Sequence, residues 1–235
     1  SIEVSLIAYG ILAAKEFYTI CRTEKTHPLV GLGLLSSICL AALAGGFFLG
    51  QMELKYFGLI VPIFSILFIS ALYLKRDKPF HDLAYTFLGI WYGTVPFLFF
   101  IGLGFIQGSF NPLIPMGFLI ILWANDTGAY LSGRALGKTK LFERISPNKT
   151  WEGSIGGTLV ATIVVAIYVY FYPQGDYSWL VTVLLTIVLS VIGQIGDLVE
   201  SALKRYYGVK DSGRILPGHG GILDRFDSLL LVLPA

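Results

Sequence analysis

The chain has 235 residues, of which 55% are hydrophobic and 14% charged, and its formal net charge is +2. A mean hydropathy of +0.72 excludes an ordinary soluble domain, and the small net charge gives no indication of a nucleic-acid partner. The two cysteines, Cys21 and Cys39, have neither the spacing nor the context of a metal site or disulfide. We interpret them as small buried hydrophobic residues.

Apolar runs long enough to cross a bilayer core predict seven transmembrane helices. Their approximate ranges are 2–20, 29–50, 56–74, 83–106, 112–132, 151–172 and 178–203, followed by the start of another helix from 228. The chain begins without Met and ends in an apolar run too short to span. We therefore expect it to be trimmed at both ends and to lack part of a final helix. The predicted fold is an all-α polytopic integral membrane protein with about seven transmembrane helices plus a truncated last one.

The positions of Lys and Arg predict the orientation of these helices. The odd-numbered connections hold fifteen of the seventeen basic residues, and the even-numbered connections hold one. The positive-inside rule therefore places the odd-numbered connections in the cytoplasm. The polar loops 133–150 and 204–227 then lie on the same, cytoplasmic side of the membrane.

An acidic residue at membrane depth is costly and usually has a functional partner. Asp126 lies well inside its apolar run, between Asn125 and Thr127. This polar stretch is either a cluster of hydrogen bonds between helices or part of an active or ion-binding site.

The helix predicted over 178–203 carries a polar stripe on one face, since its members are three or four residues apart. The stripe comprises Gln194, Asp197, Glu200, Ser201 and Lys204. One interpretation is a functional surface that includes Asp197. The alternative is a helix end that emerges into the cytoplasm, with Glu200 and Lys204 as an ion pair one turn apart.

The following loop combines carboxylates, cations and glycines, which is typical of a site for phosphate and Mg²⁺. Its members are Lys210, Asp211, Arg214, His219, Asp224, Arg225 and Asp227, among Gly208, Gly213, Gly218, Gly220 and Gly221. His219 either participates directly or is a turn residue.

The other polar loop places Lys149 and Glu152 at the entrance of a helix, where an anion is favoured. Ser146 and Asn148 are candidate caps for that helix, and capping alone is the alternative role of this stretch.

The segments SALKR (201–205), KDSG (210–213) and LPGHGGILDRFD (216–227) resemble the signature of the phosphatidate cytidylyltransferases, or CDP-diacylglycerol synthases. Residues 123–133 and 146–153 also resemble characteristic stretches of that family. The resemblance covers residues 120–230, whereas the N-terminal helices match only in hydropathy. It implies that 1–110 holds N-terminal transmembrane helices and 111–235 the catalytic transmembrane region with both polar loops.

The resemblance implies a reaction of CTP with phosphatidate that gives CDP-diacylglycerol and pyrophosphate and requires Mg²⁺, with K⁺ as a candidate second cation. It implies a homodimer in the cell inner membrane with a polar cavity that faces the cytoplasm. Asp197 and Asp224 are then the metal ligands, and Asp126 and Asp227 complete the metal shell or orient the cations. The remaining site residues that it implies are Lys149, Ser201, Lys204, Arg205, Lys210, His219, Gly220 and Gly221, the lysines and Arg205 as phosphate-binding cations.

Two other interpretations fit part of the same pattern. A polyprenol or phytol kinase uses CTP in a membrane and has loosely similar glycine and acidic motifs. An ion-coupled transporter also uses intramembrane acids, but its polar residues are expected throughout the membrane. Here the charges gather toward one face, which favours an enzyme.

Overall fold

The computed structural model describes residues 2–172, 178–215, 218 and 220–234, with the side chains of residues 2 and 3 excepted. The chain divides into two compact units. The first comprises residues 1–102, 207–226 and 234, and the second comprises residues 103–206, 227–233 and 235. The predicted division at residue 110 stays a prediction.

The elements follow one another as helices with one small hairpin. The first part of the chain forms α1 (Ile2–Cys21), α2 (Val30–Phe48), a 3₁₀ turn (Leu54–Leu59), α3 (Ile60–Tyr73), α4 (Pro79–Gly89), a π-helical turn (Ile90–Thr94) and α5 (Val95–Gly104). The rest forms α6 (Leu113–Leu136), β1 (Lys140–Phe142), β2 (Ser146–Thr150), α7 (Trp151–Phe171), α8 (Trp179–Tyr206) and α9 (Leu223–Val232).

The prediction of an all-α polytopic membrane protein is confirmed. Six helical stretches among the described residues are long and apolar enough to cross a membrane. The stretch predicted over 112–132 is also helical, as α6, but it is not among these six because Asn125 and Asp126 lower its mean hydropathy. The exact number of spans stays a prediction.

Helix α1 lies against the π-helical turn in the core of the first unit. A Cβ added at Gly93 would lie within 2.4 Å of the Ala14 backbone nitrogen, so only glycine permits this approach. The buried Tyr18 hydroxyl donates a hydrogen bond to the Thr86 carbonyl oxygen over 2.8 Å. These contacts fix one face of α1, and Glu16, which lies between Ala14 and Tyr18 in the same helix, is a buried carboxylate described below.

Glycines bring α6 and α7 together in the second unit. A Cβ added at Gly128 would lie 2.7 Å from Val160 Cβ, and one added at Gly157 would lie 2.6 Å from the Asn125 carbonyl oxygen. Small residues permit such close packing of helices in a membrane, where water does not drive association. The approach places the polar stretch of α6 beside the start of α7.

The hairpin leads directly into α7. Strands β1 and β2 are antiparallel, with Lys140 opposite Thr150. The Thr150 hydroxyl caps α7 by accepting a hydrogen bond from the Gly153 amide over 3.1 Å. The prediction of Ser146 or Asn148 as the cap is wrong, because both lie within β2, before the residue where the chain turns from strand to helix.

Candidate active site

A cavity of about 540 Å³ opens in the second unit among α6, the hairpin, α7 and α8. The charged and amide side chains that line it are Asp126, Arg134, Asn148, Lys149, Gln194 and Asp197. All six lie in segments that the sequence had marked as polar. The fold therefore brings the loop 133–150 and the stripe of α8 to one cavity.

Lys149 and Asp197 form the central ion pair of this cavity. The Lys149 ammonium, at the end of β2, contacts Asp197 Oδ2 on α8, and each side chain retains about a quarter of its exposure (26% and 28%). Ser201, one turn along α8, donates a hydrogen bond to Asp197 Oδ1 over 3.4 Å. Lys149 thus has a carboxylate partner within reach of incoming anions, and the predicted shared face of Asp197 and Ser201 is confirmed.

Asp227 contributes a further carboxylate to this charge cluster. Its Oδ1 accepts a hydrogen bond from the Ser228 amide over 2.6 Å. Burial, together with the charges of Asp197 and Asp126, raises the pKa of Asp227 to about 7, and Lys149 opposes the shift. The carboxylates of the second unit therefore repel one another, and Lys149 offsets only part of their charge.

A hydrogen-bond network ties the helices behind the cavity. The Gln194 amide donates to Asn125 Oδ1 over 2.8 Å and to the Ser154 carbonyl oxygen over 3.1 Å, while the Ser154 hydroxyl donates to Gln194 Oε1. Asn125 is buried, whereas Asp126 lines the cavity. Asn125 thus joins helices, as one interpretation of this stretch predicted. Asp126 lines the cavity, and its role in an active or ion-binding site stays a prediction.

Asp224 organises the glycine-rich loop of the first unit. Its Oδ2 accepts hydrogen bonds from the Ser212 amide, the Ser212 hydroxyl and the Gly221 amide, each over 2.8 Å. Gly220 has a φ of +82°, a backbone conformation that residues other than glycine rarely adopt. The Gly221 N–H therefore binds a carboxylate of the chain itself, and the predicted role of Gly220 and Gly221 toward the nucleotide stays a prediction.

Glu16, which the sequence did not single out, lies beside this loop. Glu16 is 5% exposed, and its Oε2 accepts a hydrogen bond from the Leu223 amide over 3.0 Å. The Ser212 hydroxyl lies 3.1 Å from the same oxygen and shares its single hydrogen between Glu16 and Asp224. A signal was present, since Glu16 is an acid near the end of an apolar run. It was overlooked because its partners lie about two hundred residues further along the chain.

The remaining predicted phosphate ligands have individual surroundings. Lys204 Nζ lies 2.6 Å from Oε2 of the buried Glu200, which confirms the ion pair proposed as the alternative interpretation of the stripe. Arg205 and Lys210 are exposed, and His219 lies outside the described residues. Their contacts with phosphate stay predictions.

Arg134 is a second residue that the sequence did not single out. It lines the cavity from the last turn of α6 and makes no ion pair with any residue in the described part of the chain. The cavity thus has one cation held by Asp197 and another without a carboxylate partner. The signal was its place in the basic loop, which was used only to assign topology.

The carboxylates suit a Mg²⁺ ion that takes most of its ligands from substrate and water. Within the described ranges, no group of three His, Cys, Asp or Glu side chains is placed to hold a metal ion. Mg²⁺ at phosphate-transfer sites is commonly bound by one or two carboxylates together with substrate phosphates. Asp197 and Asp224 belong to different units, so the ligand set predicted from them stays a prediction.

Comparison with known proteins identifies the family. The model of the cytidylyltransferase family matches residues 2–235. A phosphatidate cytidylyltransferase from Staphylococcus haemolyticus is 42% identical over 97% of this chain and 86% of its own length. Proteins of the same name from Staphylococcus epidermidis and Staphylococcus saprophyticus are 44% and 43% identical, over 86% and 80% of this chain and 76% and 70% of their own lengths. The chain therefore belongs to the cytidylyltransferase family and is a nucleotidyltransferase, as its signature segments predicted.

Proposed function

We propose that the protein transfers the cytidylyl group of CTP to phosphatidate, which yields CDP-diacylglycerol and pyrophosphate in phospholipid biosynthesis. The observation that carries this proposal is the charged cavity of the second unit, in which Lys149 and Arg134 line a space bounded by Asp126 and Asp197. A volume of about 540 Å³ suits a nucleotide or a lipid headgroup. The names of the relatives supply the substrates.

The chemistry needs charge neutralisation more than it needs a base. A phosphate oxygen of phosphatidate is anionic near neutral pH and attacks the α-phosphorus of CTP in line with the bond to the leaving group. The new phosphorus–oxygen bond forms as the bond between the α-phosphorus and the bridging oxygen breaks, and pyrophosphate leaves with those electrons. Repulsion between the anions is the main barrier, so positioned cations lower it.

Lys149 and Arg134 are the cations that the cavity offers to these anions. Lys149 is already oriented by Asp197, which reduces the entropy lost when a phosphate binds. Arg134 can hold two phosphate oxygens at once through its planar guanidinium group. In this proposal Lys204, Arg205 and Lys210 assist at the phosphates, as the resemblance implies.

The metal is expected to be Mg²⁺, with K⁺ as a candidate second cation. Asp197 and Asp224 would hold the metal, and Asp126 and Asp227 would complete its shell or orient it. A bound Mg²⁺ supplies positive charge to phosphate oxygens during the displacement. Burial is the main cause of the raised pKa of Asp227, and repulsion from Asp197 and Asp126 adds to it. This repulsion supports the proposal, because a bound cation would relieve it.

The membrane setting suits a lipid substrate that stays in the bilayer. We propose that the protein lies in the cell inner membrane as a homodimer, with its cavity open to cytoplasmic CTP. The clustering of basic residues in the odd-numbered connections supports this orientation. Acyl chains would remain among the lipids while the headgroup reaches the charged residues.

The purified protein tests the proposal when it is supplied with CTP, Mg²⁺ and either phosphatidate or a polyprenol. We expect CDP-diacylglycerol from phosphatidate, no reaction with the polyprenol, and loss of turnover in Asp197→Asn and Asp224→Asn variants that remain folded. Phosphorylation of the polyprenol with release of CDP would identify a kinase instead. Ion flux through protein-containing liposomes without nucleotide turnover would identify a transporter.

A further inference from the structure

The first unit holds a buried carboxylate that the proposed reaction does not use directly. Glu16 lies in α1, 5% exposed, and both hydrogen bonds to its Oε2 come from the other end of the chain. One donor is the hydroxyl of Ser212, and the other is the backbone amide of Leu223, the first residue of α9. A buried carboxylate of this kind holds its hydrogen-bond donors in place, because no water is present to accept their hydrogen bonds instead.

Glu16 and Asp224 share one partner, the Ser212 hydroxyl. The Ser212 hydroxyl lies 3.1 Å from Glu16 Oε2 and 2.8 Å from Asp224 Oδ2, so one serine links the two carboxylates. The amide that Glu16 accepts from, Leu223, immediately precedes Asp224 in the chain. Glu16 is thus placed to set both the backbone and the side-chain surroundings of Asp224.

The glycines of the loop pack directly on this carboxylate. A Cβ added at Gly213 would lie 2.5 Å from Glu16 Oε1, and one added at Gly221 would lie 2.4 Å from Glu16 Oε2. These distances are too short for a side-chain atom, so the space that glycine leaves at both positions is occupied by the Glu16 carboxylate. The loop and α1 are therefore closely packed at this point.

We infer that Glu16 is a positioning residue for the reaction: it anchors the signature loop, which the structure describes over residues 207–215, 218 and 220–222, to α1 and thereby fixes Asp224. The inference rests on the proposed function in one respect, namely that Asp224 contributes to the reacting site. It assigns a role to the N-terminal part of the chain, which the signature segments do not include.

We expect Glu16 to position the loop by hydrogen bonding and not by its charge. A matched pair of variants distinguishes these two effects. Glutamine has the same shape as glutamate and retains an acceptor oxygen for Ser212 and Leu223, whereas alanine removes the acceptor. Loss of hydrogen bonds to a buried charged group corresponds to roughly a tenfold effect or more. Glu24→Ala is the control, because Glu24 is an exposed acid of the same unit.

Trypsin cleavage of the full chain in detergent measures the anchoring without any substrate. Lys210 and Arg214 are exposed within the signature loop, and Arg144 is an exposed site in the second unit. We expect Glu16→Ala to speed cleavage after Lys210 and Arg214 about tenfold, with cleavage after Arg144 unchanged. Glu16→Gln and Glu24→Ala should both behave like the wild type.

The same variants link anchoring to the reaction. Glu16→Ala should lower kcat about tenfold or more while the KM for CTP changes little, and Glu16→Gln should restore most of kcat. Ser212→Ala should also loosen the loop, and the double variant Glu16→Ala/Ser212→Ala should be cleaved less quickly than two independent effects predict, since both remove one contact.

Unchanged loop cleavage and unchanged kcat in Glu16→Ala would overturn the inference. Equal acceleration after Arg144 would also overturn it, because Glu16 would then support the fold as a whole. A wild-type protein that makes no CDP-diacylglycerol would refute the proposed function, whereas the cleavage rates would still decide whether Glu16 anchors the loop.

Discussion

Replacement of Lys149 by methionine tests the charge balance of the cavity. Methionine retains the apolar stem of the side chain but removes the ammonium that contacts Asp197 and opposes the raised pKa of Asp227. The carboxylates of the second unit then lose the cation that offsets them. We expect opposite effects on the two ligands: CTP should bind more weakly and Mg²⁺ more tightly.

The magnitude follows from the exposure of the pair. Two unit charges about 4 Å apart interact by about 4 kcal/mol at an effective dielectric constant of about 20. Because Lys149 and Asp197 each retain about a quarter of their exposure (26% and 28%), solvent screening and desolvation reduce the net value to about 2 kcal/mol. That value corresponds to about 30-fold in a dissociation constant.

The assay is the initial rate of CDP-diacylglycerol formation with CTP and Mg²⁺ varied independently. Lys149→Met should lower the half-saturating Mg²⁺ concentration by up to about 30-fold, because Asp197 no longer pairs with the ammonium, and should raise the half-saturating CTP concentration. Lys138→Met is the matched control, since Lys138 is exposed in the same loop and only its backbone amide is engaged, by Glu152. Parallel weakening of both ligands, or no change in either, would refute the proposed charge balance.

Three further predictions follow from individual contacts. The pKa of Asp227 is raised to about 7 in the folded protein, compared with about 4 for an unfolded chain. Without divalent cations, the free energy of unfolding should therefore fall as the pH rises from about 4 to about 7. Asp227→Asn should flatten this pH dependence, and an unchanged slope would contradict the raised pKa. Gly157→Leu should separate α6 from α7 and lower the melting temperature measured in detergent. Gly31→Leu is the control, since Gly31 is at an open position, and it should leave the melting temperature unchanged. Equal melting temperatures for the two variants would refute the close packing of α6 and α7. Lys204→Met should destabilise the fold by about 3 kcal/mol because the buried Glu200 carboxylate loses this ion pair, and adding Glu200→Gln should restore much of the loss. Failure of this rescue would show that Lys204 stabilises the fold through other contacts.

The helices were predictable because the bilayer imposes one requirement on every spanning segment. Long apolar runs have to satisfy their backbone groups internally, so helix bounds followed from composition alone, as for α7, predicted over 151–172 and found over Trp151–Phe171. The stripe of α8 was predictable for a similar reason, since helical spacing determines which residues share a face. The hairpin was missed because its two strands are short and have no apolar periodicity.

The candidate site was predictable only in part. Asp126, Lys149 and Asp197 stood out as charges near apolar segments, and the fold places all three on one cavity. Glu16 was missed because its importance depends on distant partners, whereas Arg134 was missed because its basic loop was used only to assign topology. No local pattern shows that Glu16 meets Ser212, since their contact spans 196 residues of sequence. Such pairings come from tertiary packing.

The fate of the phosphorus atoms of CTP tests the central claim most directly. The purified protein is supplied with phosphatidate, Mg²⁺ and CTP labelled at either the α- or the γ-phosphorus. Cytidylyl transfer predicts that the α label enters the lipid while the γ label is released in pyrophosphate. In Asp197→Asn, neither labelling of the lipid nor release of pyrophosphate should occur. Entry of the γ label into the lipid, with the α label left in CDP, would contradict the proposed function.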